Sequence, residues 1–243
     1  MTRRHRLSEN QALVKAKLTA VALAGALAGA GAVWLAAQST VHRPTEPSPL
    51  LTLLVGASLL GCGLGSWRTR SDNPIGPVMV LTGFAWFASL LTVASDPGLY
   101  TAGEAVQYAF IAGFIYLVLA FPSGRLRTRL DRALVAAALA LGVGLQVAAM
   151  LFGNRTGLRC TFCPDNLLQV FHDNVRSQRL LDDQRLGGGL LAVTTVALLL
   201  WRWRQASRPQ RRAVAPVLVA GSATLLALTG TIVNDLLSGG GVQ

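Results

Sequence analysis

Residues 133–153 read ALVAAALALGVGLQVAAMLFG, and they follow a stretch that holds Arg125, Arg127, Arg129 and Arg132. Within the run Gln146 is the only side chain with a strong hydrogen-bonding group. A bilayer core of about 30 Å is crossed by about 20 apolar residues in helical form. In hydrocarbon, every backbone N–H and C=O must find its partner within the protein, so such a run is helical there. The arginines before it mark where the chain leaves the lipid.

Six more runs of this kind stand at 16–38, 48–66, 75–95, 102–121, 186–201 and 213–236. The expected fold is therefore all-α: a polytopic bundle of about seven transmembrane helices. It forms one membrane domain over 16–238, between a basic N-terminus (1–15) and a Gly-rich tail (239–243). Hydrophobic residues make up 52% of the chain and charged residues 14%, too few charges for an ordinary soluble surface. The first run is too long for the apolar part of a signal peptide, and Ala36–Ala37–Gln38 is a poor cleavage site. It is read as a true helix.

The net charge of +11 suggests nucleic acid until the charges are placed. With loops assigned alternately to two sides, the N-terminal side holds 16 basic residues against Glu9, Asp72 and Asp131. The other side holds six basic residues against eight acidic ones. Lys and Arg near helix ends are retained in the cytoplasm. The N-terminus is thus expected inside, in the plasma membrane of a cell, and seven crossings put the C-terminus outside. Arg125, Arg127, Arg129, Arg202, Arg204, Arg211 and Arg212 are expected on the cytoplasmic face, against anionic headgroups. The lipid bilayer is the expected partner, and nucleic acid is not.

Small residues let helices approach closely in lipid. Gly25 and Gly29 in the first run, and Ala57, Gly61 and Gly65 in the second, serve either as intramolecular seams or as a homodimer face. Pro77 and Pro216 mark helix starts, where a missing N–H does least harm.

Ionisable groups at the membrane midplane are nearly absent, which weakens a transporter reading. Lys15 and Lys17, the only lysines, stand at the N-terminal end, where a retinal Schiff base has no place. Glu104 and Gln107 lie near the outer end of the fourth run, Gln146 deeper in the fifth, and Asn234 and Asp235 near the outer end of the seventh. They form either a set of wetted interfacial groups or a small sensing cluster under the longest loop, 154–185.

That loop contains Cys160 and Cys163. In an oxidising compartment the pair closes as a disulfide clip; a stabilised thiolate would make it redox active. A metal would need four Cys or His ligands, and with His172 this loop supplies three. No metal or cofactor is expected. Cys62 is expected to be buried and inert. Leu167, Leu168, Phe171 and Val175 recur at helical spacing, which predicts a short amphipathic helix. The chain has no G-x-S-x-G, H-E-x-x-H or phosphate-binding G-x-x-x-x-G-K, so no enzyme active site is expected.

Four stretches share an order and spacing with a known family: Asn73–Pro74–Ile75–Gly76, Leu119–Ala120–Phe121–Pro122–Ser123–Gly124–Arg125–Leu126, Cys160–Thr161–Phe162–Cys163–Pro164–Asp165–Asn166–Leu167, and Gln205–Ala206–Ser207–Arg208 with Arg211–Arg212–Ala213–Val214–Ala215–Pro216–Val217–Leu218. Over residues 50–220 the chain resembles the membrane-embedded sensor half of actinobacterial (high-GC Gram-positive) two-component sensor histidine kinases. The resemblance implies signal transduction by helix displacement. These residues hold neither a phospho-acceptor histidine motif nor an ATP lid, so a response regulator would be reached only through a kinase half that they lack. A fragment of a longer kinase is the expectation. A stand-alone multi-pass protein, permease-like or a complex subunit, is the alternative.

Overall fold

The computed structural model describes residues 2–38, 49–121, 123–155, 158, 163–205, 221 and 230. The described elements are helical, with no strand among them: α1 (Thr2–Gln38), α2 (Pro49–Thr69), α3 (Ile75–Ser89), α4 (Pro97–Val106), α5 (Ala109–Ala120), α6 (Arg129–Leu139), α7 (Gln146–Phe152) and α8 (Asn174–Gln205). A 3₁₀ turn, Leu90–Val93, extends α3, and a π-helical segment, Ala140–Leu145, joins α6 to α7. Six spans are long and apolar enough to cross a membrane: Ala16–Leu35, Leu50–Thr69, Ile75–Val93, Pro97–Ala120, Arg129–Phe152 and Asn174–Gln205. The seventh expected span, 213–236, and the tail, 239–243, lie outside the described residues, apart from Gly221 and Gly230.

The boundaries follow local chemistry. α1 runs back to Thr2 over a stretch, 2–17, that is free of proline and glycine and rich in Arg, Lys, Leu, Ala and Gln. α2 begins at Pro49, whose missing N–H falls among those with no partner at a helix start. Pro77 likewise sits in the first turn of α3. Asp96 caps α4 by accepting from Leu99 N at 2.9 Å.

Packing falls into two sectors. Ala32, Leu60, Val80 and Phe87 join α1, α2 and α3. Ile115, Leu119, Leu134, Ala138, Leu191 and Leu199 join α5, α6 and α8. Between them, Trp86 on α3 meets Phe110 on α5 edge to face, with centroids 4.9 Å apart, while its Nε1 donates to Thr52 O at 2.9 Å.

The two small-residue stripes part company here. Gly25 lies against Leu60, and Gly29 against Leu53 and Phe87, so α1 carries an intramolecular seam. Gly61 and Gly65 meet nothing within 4 Å, and Ala57 beside them is exposed. The seam of α2 is instead Gly56, Leu60 and Gly63, the face turned toward α3; the stripe at 57, 61 and 65 looks outward. Cys62 is exposed rather than buried.

The sixth span differs most from its apolar run. α8 starts at Asn174, twelve residues before the run at 186, and so shortens the expected loop 154–185 to 153–173. Its first turns are polar in sequence but bury Ser177, Leu181 and Gln184 at helical spacing. At 1.5 Å per residue, α8 is about 48 Å long, against about 30 Å of hydrocarbon.

Candidate functional site

The bundle has two built ends. At one, the described residues of the α7–α8 connection, 153–155, 158 and 163–173, form a strap over the C-terminus of α7. The last carbonyls of a helix have no partner within it, and here the strap supplies the donors. Asn166 Nδ2 donates to Met150 O at 2.6 Å and to Gly153 O at 2.8 Å. Val170 N and Phe171 N reach Leu151 O at 3.0 and 2.8 Å, and Asp173 N reaches Phe152 O at 3.1 Å. With these N–H groups committed, the expected amphipathic helix over Leu167–Val175 does not form. Leu167 and Leu168 lie in a turn, Phe171 stacks on Phe152 at 5.1 Å, and Val175 belongs to the first turn of α8. Arg176 stands over the Phe152 ring at 4.7 Å.

The strap is also tied to α4. Leu167 N donates to Thr101 Oγ1 at 3.1 Å, and buried Cys163 packs on buried Tyr100. Cys163 is disulfide-bonded; Cys160 lies outside the described residues. Arg155 Nε donates to Asp165 Oδ1 at 2.7 Å, and that hydrogen bond lowers the Asp165 carboxyl from its ordinary value. Its contribution is present at neutral pH and is lost as pH falls through the lowered pKa. Both groups are exposed, so the contribution is small.

Directly beneath the strap is the polar cluster. Glu104, 3% exposed on α4, accepts at Oε2 from Gln107 Nε2 at 2.8 Å and from Gln146 Nε2 at 3.2 Å. Gln146 is 1% exposed, and its Oε1 has no hydrogen-bond partner. The structure thus brings together Glu104, Gln107 and Gln146; Asn234 and Asp235 lie outside the described residues.

The two spans that supply this cluster are irregular at the same level. The fourth breaks between α4 and α5 at Gln107–Tyr108, where the Gln107 side chain turns back to Glu104. The fifth carries the π segment, and Gly142 within it lies against Tyr108 O. A wider turn leaves a carbonyl without its usual donor; Gln184 of α8 donates to Leu141 O at 2.9 Å. Irregular backbone at membrane depth persists where neighbouring groups satisfy it, and it often accompanies function. The cluster can hold a charge or accept a hydrogen bond within the bundle. Among the described residues no group of His, Cys, Asp and Glu suits a metal ion.

At the other end, the arginine-rich one, two sequence motifs meet. Gly124 adopts φ +78°, a conformation that favours glycine, and lies against the Asn73 carboxamide. Asn73 Oδ1 accepts from Ile75 N at 3.0 Å, and Tyr116 Oη donates to Gly124 O at 3.0 Å. Thr128 and Asp131 form a capping box for α6. Asp131, 0% exposed, also accepts from Arg127 N at 3.0 Å and pairs with Arg202 Nη2 at 2.6 Å. Arg202 therefore turns inward to a buried carboxylate rather than out to lipid. Arg125, Arg127, Arg129 and Arg204 are exposed; Arg211 and Arg212 lie outside the described residues.

Sequence reasoning missed Tyr100, Thr101, Asn166 and Gln184. Tyr100, Glu104 and Gln107 share one helix face, a signal that was available. The role of Asn166 depends on α7 ending beneath it, which no local pattern reveals. Replacing Asn166 by Ala strands two helix-end carbonyls, at a cost of about 1–3 kcal/mol. Limited proteolysis in mild detergent is expected to cut this variant within 153–173 well before the wild type. Equal cutting rates would refute the strap as described.

The architecture is that of an all-α, multi-pass membrane protein, defined by six helices long and apolar enough to span a membrane among the described residues. Compared with family models, with curated proteins and with solved structures, the chain matches none.

Proposed function

We propose that this chain is the membrane sensor and signal-transduction module of a two-component sensor histidine kinase. One observation carries the reading: α8 runs from the strap, past the π segment, to Asp131 at the arginine-rich end. Its start is capped by Asp173 of the strap, whose Oδ1 accepts from Arg176 N at 2.9 Å. Its Gln184 serves the π segment beside the Glu104 cluster, and its Arg202 holds Asp131. A change at the strap or cluster that favours one packing over another therefore moves a single rod reaching the arginine-rich end. The charge count supports a cytoplasmic assignment of that end, with the N-terminus inside, and the plasma membrane is the membrane of this reading. The resemblance adds support, because Asn73–Gly76 and Ser123–Arg125, from two of its stretches, form one junction. The polar cluster is the sensing element of this reading. The response regulator is reached through a kinase half that these residues do not contain.

The test is phosphohistidine. Membranes from cells expressing the native gene product are incubated with ATP labelled at the γ-phosphate, and the product is captured with an antibody to the strap. Acid-labile, base-stable label is expected on a polypeptide that contains this chain or remains bound to it. Without label on either, the sensor reading falls and the stand-alone membrane protein replaces it.

A further inference from the structure

The arginine-rich end holds a groove of about 500 Å³ between the α2–α3 and α5–α6 connections. Arg70 and Arg125 both line it, with Ser71, Asp72, Asn73 and Ser123. Neither arginine takes part in an ion pair among the described residues. The walls are preformed. Asn73 N donates to Arg70 O at 3.1 Å, closing the first connection as a turn, and Gly124 N donates to Ala120 O at 2.7 Å in the second. Asn73 against Gly124 then locks the two together. The backbone N–H groups of Ser71 and Asp72 carry no hydrogen bond among the described residues.

The charged lining is therefore net positive. Two guanidiniums, each a planar fork suited to oxyanions, share this lining with one carboxylate, Asp72, which accepts from Ser71 Oγ at 3.3 Å. The rim is formed where α2 ends and α3 begins and where α5 ends and α6 begins, so the groove opens at headgroup level. Phosphodiester oxygens are concentrated there, and basic pockets at helix ends hold anionic headgroups.

We propose that the groove between Arg70 and Arg125 is a phosphate-binding site, filled by the headgroup of an anionic phospholipid. The inference is independent of the sensor reading, since it rests on the two connections alone. Free phosphate offers the same chemistry, and the experiment separates the two sources.

Purified full-length chain in neutral detergent is titrated with short-chain phosphatidylglycerol, short-chain phosphatidylcholine or inorganic phosphate. Binding is read by native mass spectrometry and by the shift in melting temperature. Saturable binding of phosphatidylglycerol over phosphatidylcholine is expected. Arg70→Gln and Arg125→Gln should each weaken it about tenfold, as befits the loss of a charge-assisted hydrogen bond. Asp72→Asn should tighten it, and Arg129→Gln, an exposed arginine away from the groove, should leave it unchanged. Inorganic phosphate binding with the same pattern of variants, and no lipid binding, would keep the phosphate site and assign it to the free ion. Equal weakening by Arg129→Gln, or saturable binding of neither probe, would overturn the site. All four side chains are exposed, so the variants keep the fold, and the melting temperatures without ligand check this.

Discussion

Replacing Asp131 by Ala is expected to destabilise the bundle by about 3 kcal/mol, the low end of the range for breaking a buried ion pair, because the Arg202 side chain left behind is 27% exposed. The change removes three contributions at once. It abolishes the acceptor for Arg127 N and Thr128 N at the start of α6, it undoes the capping box, and it strands Arg202. Arg202→Ala should cost less, because Asp131 keeps its two backbone donors. The double variant should fall close to Asp131→Ala alone, since the pair acts as one unit. Unfolding in mixed detergent micelles, followed by circular dichroism, supplies the numbers. Strict additivity of the two single losses would show that the side chains do not act together.

Gly103→Val should be the second severe variant, for a different reason. A Cβ at Gly103 would lie 2.5 Å from Thr92 N and 2.6 Å from the Leu91 carbonyl carbon. Those atoms are backbone of the 3₁₀ turn, so no rotamer relieves the clash and α4 itself must move. Overpacking of this kind costs about 1–3 kcal/mol, with more for a branched side chain. Because Tyr100, Thr101 and Glu104 ride on α4, the strap and the cluster should loosen together. Gly61→Val is the matched control: it adds the same atoms to a helix where nothing stands within 4 Å. The two melting temperatures, measured side by side, are expected to differ by several degrees. If they coincide, α4 does not pack on the turn as described.

What the chain discloses without coordinates is governed by lipid. Runs such as 133–153 are legible because hydrocarbon tolerates little else, and six of the seven expected spans appear as helices. The first three turns of α8 escape such a reading because Arg176, Arg179, Asp182 and Asp183 mask a narrow buried stripe. The spacing of Leu167, Leu168, Phe171 and Val175 misleads because the carbonyls ending α7 compete for the same N–H groups. Glu104 and Gln107 stand out as polar groups in an apolar run. Gln146 stands out too, but its aim at Glu104 requires two helices to be placed. Asp131 reads as one more loop charge, and its pairing needs Arg202, 71 residues away.

The π segment interrupts the fifth span as a defect interrupts a crystal. It is a dislocation: one surplus residue accommodated in a single turn. Beyond such a defect the lattice continues undisturbed but indexed by one step, and for a helix one step is about 100°. All of α7 is therefore rotated by roughly that angle from where an unfaulted α6 would have carried it. Gln146, the first residue past the fault, points at Glu104 only in this indexing. The polar pairing beneath the strap is thus a property of a fault line. Sliding the fault by one turn toward the strap would carry Gln146 off Glu104 while leaving both ends of the span in place.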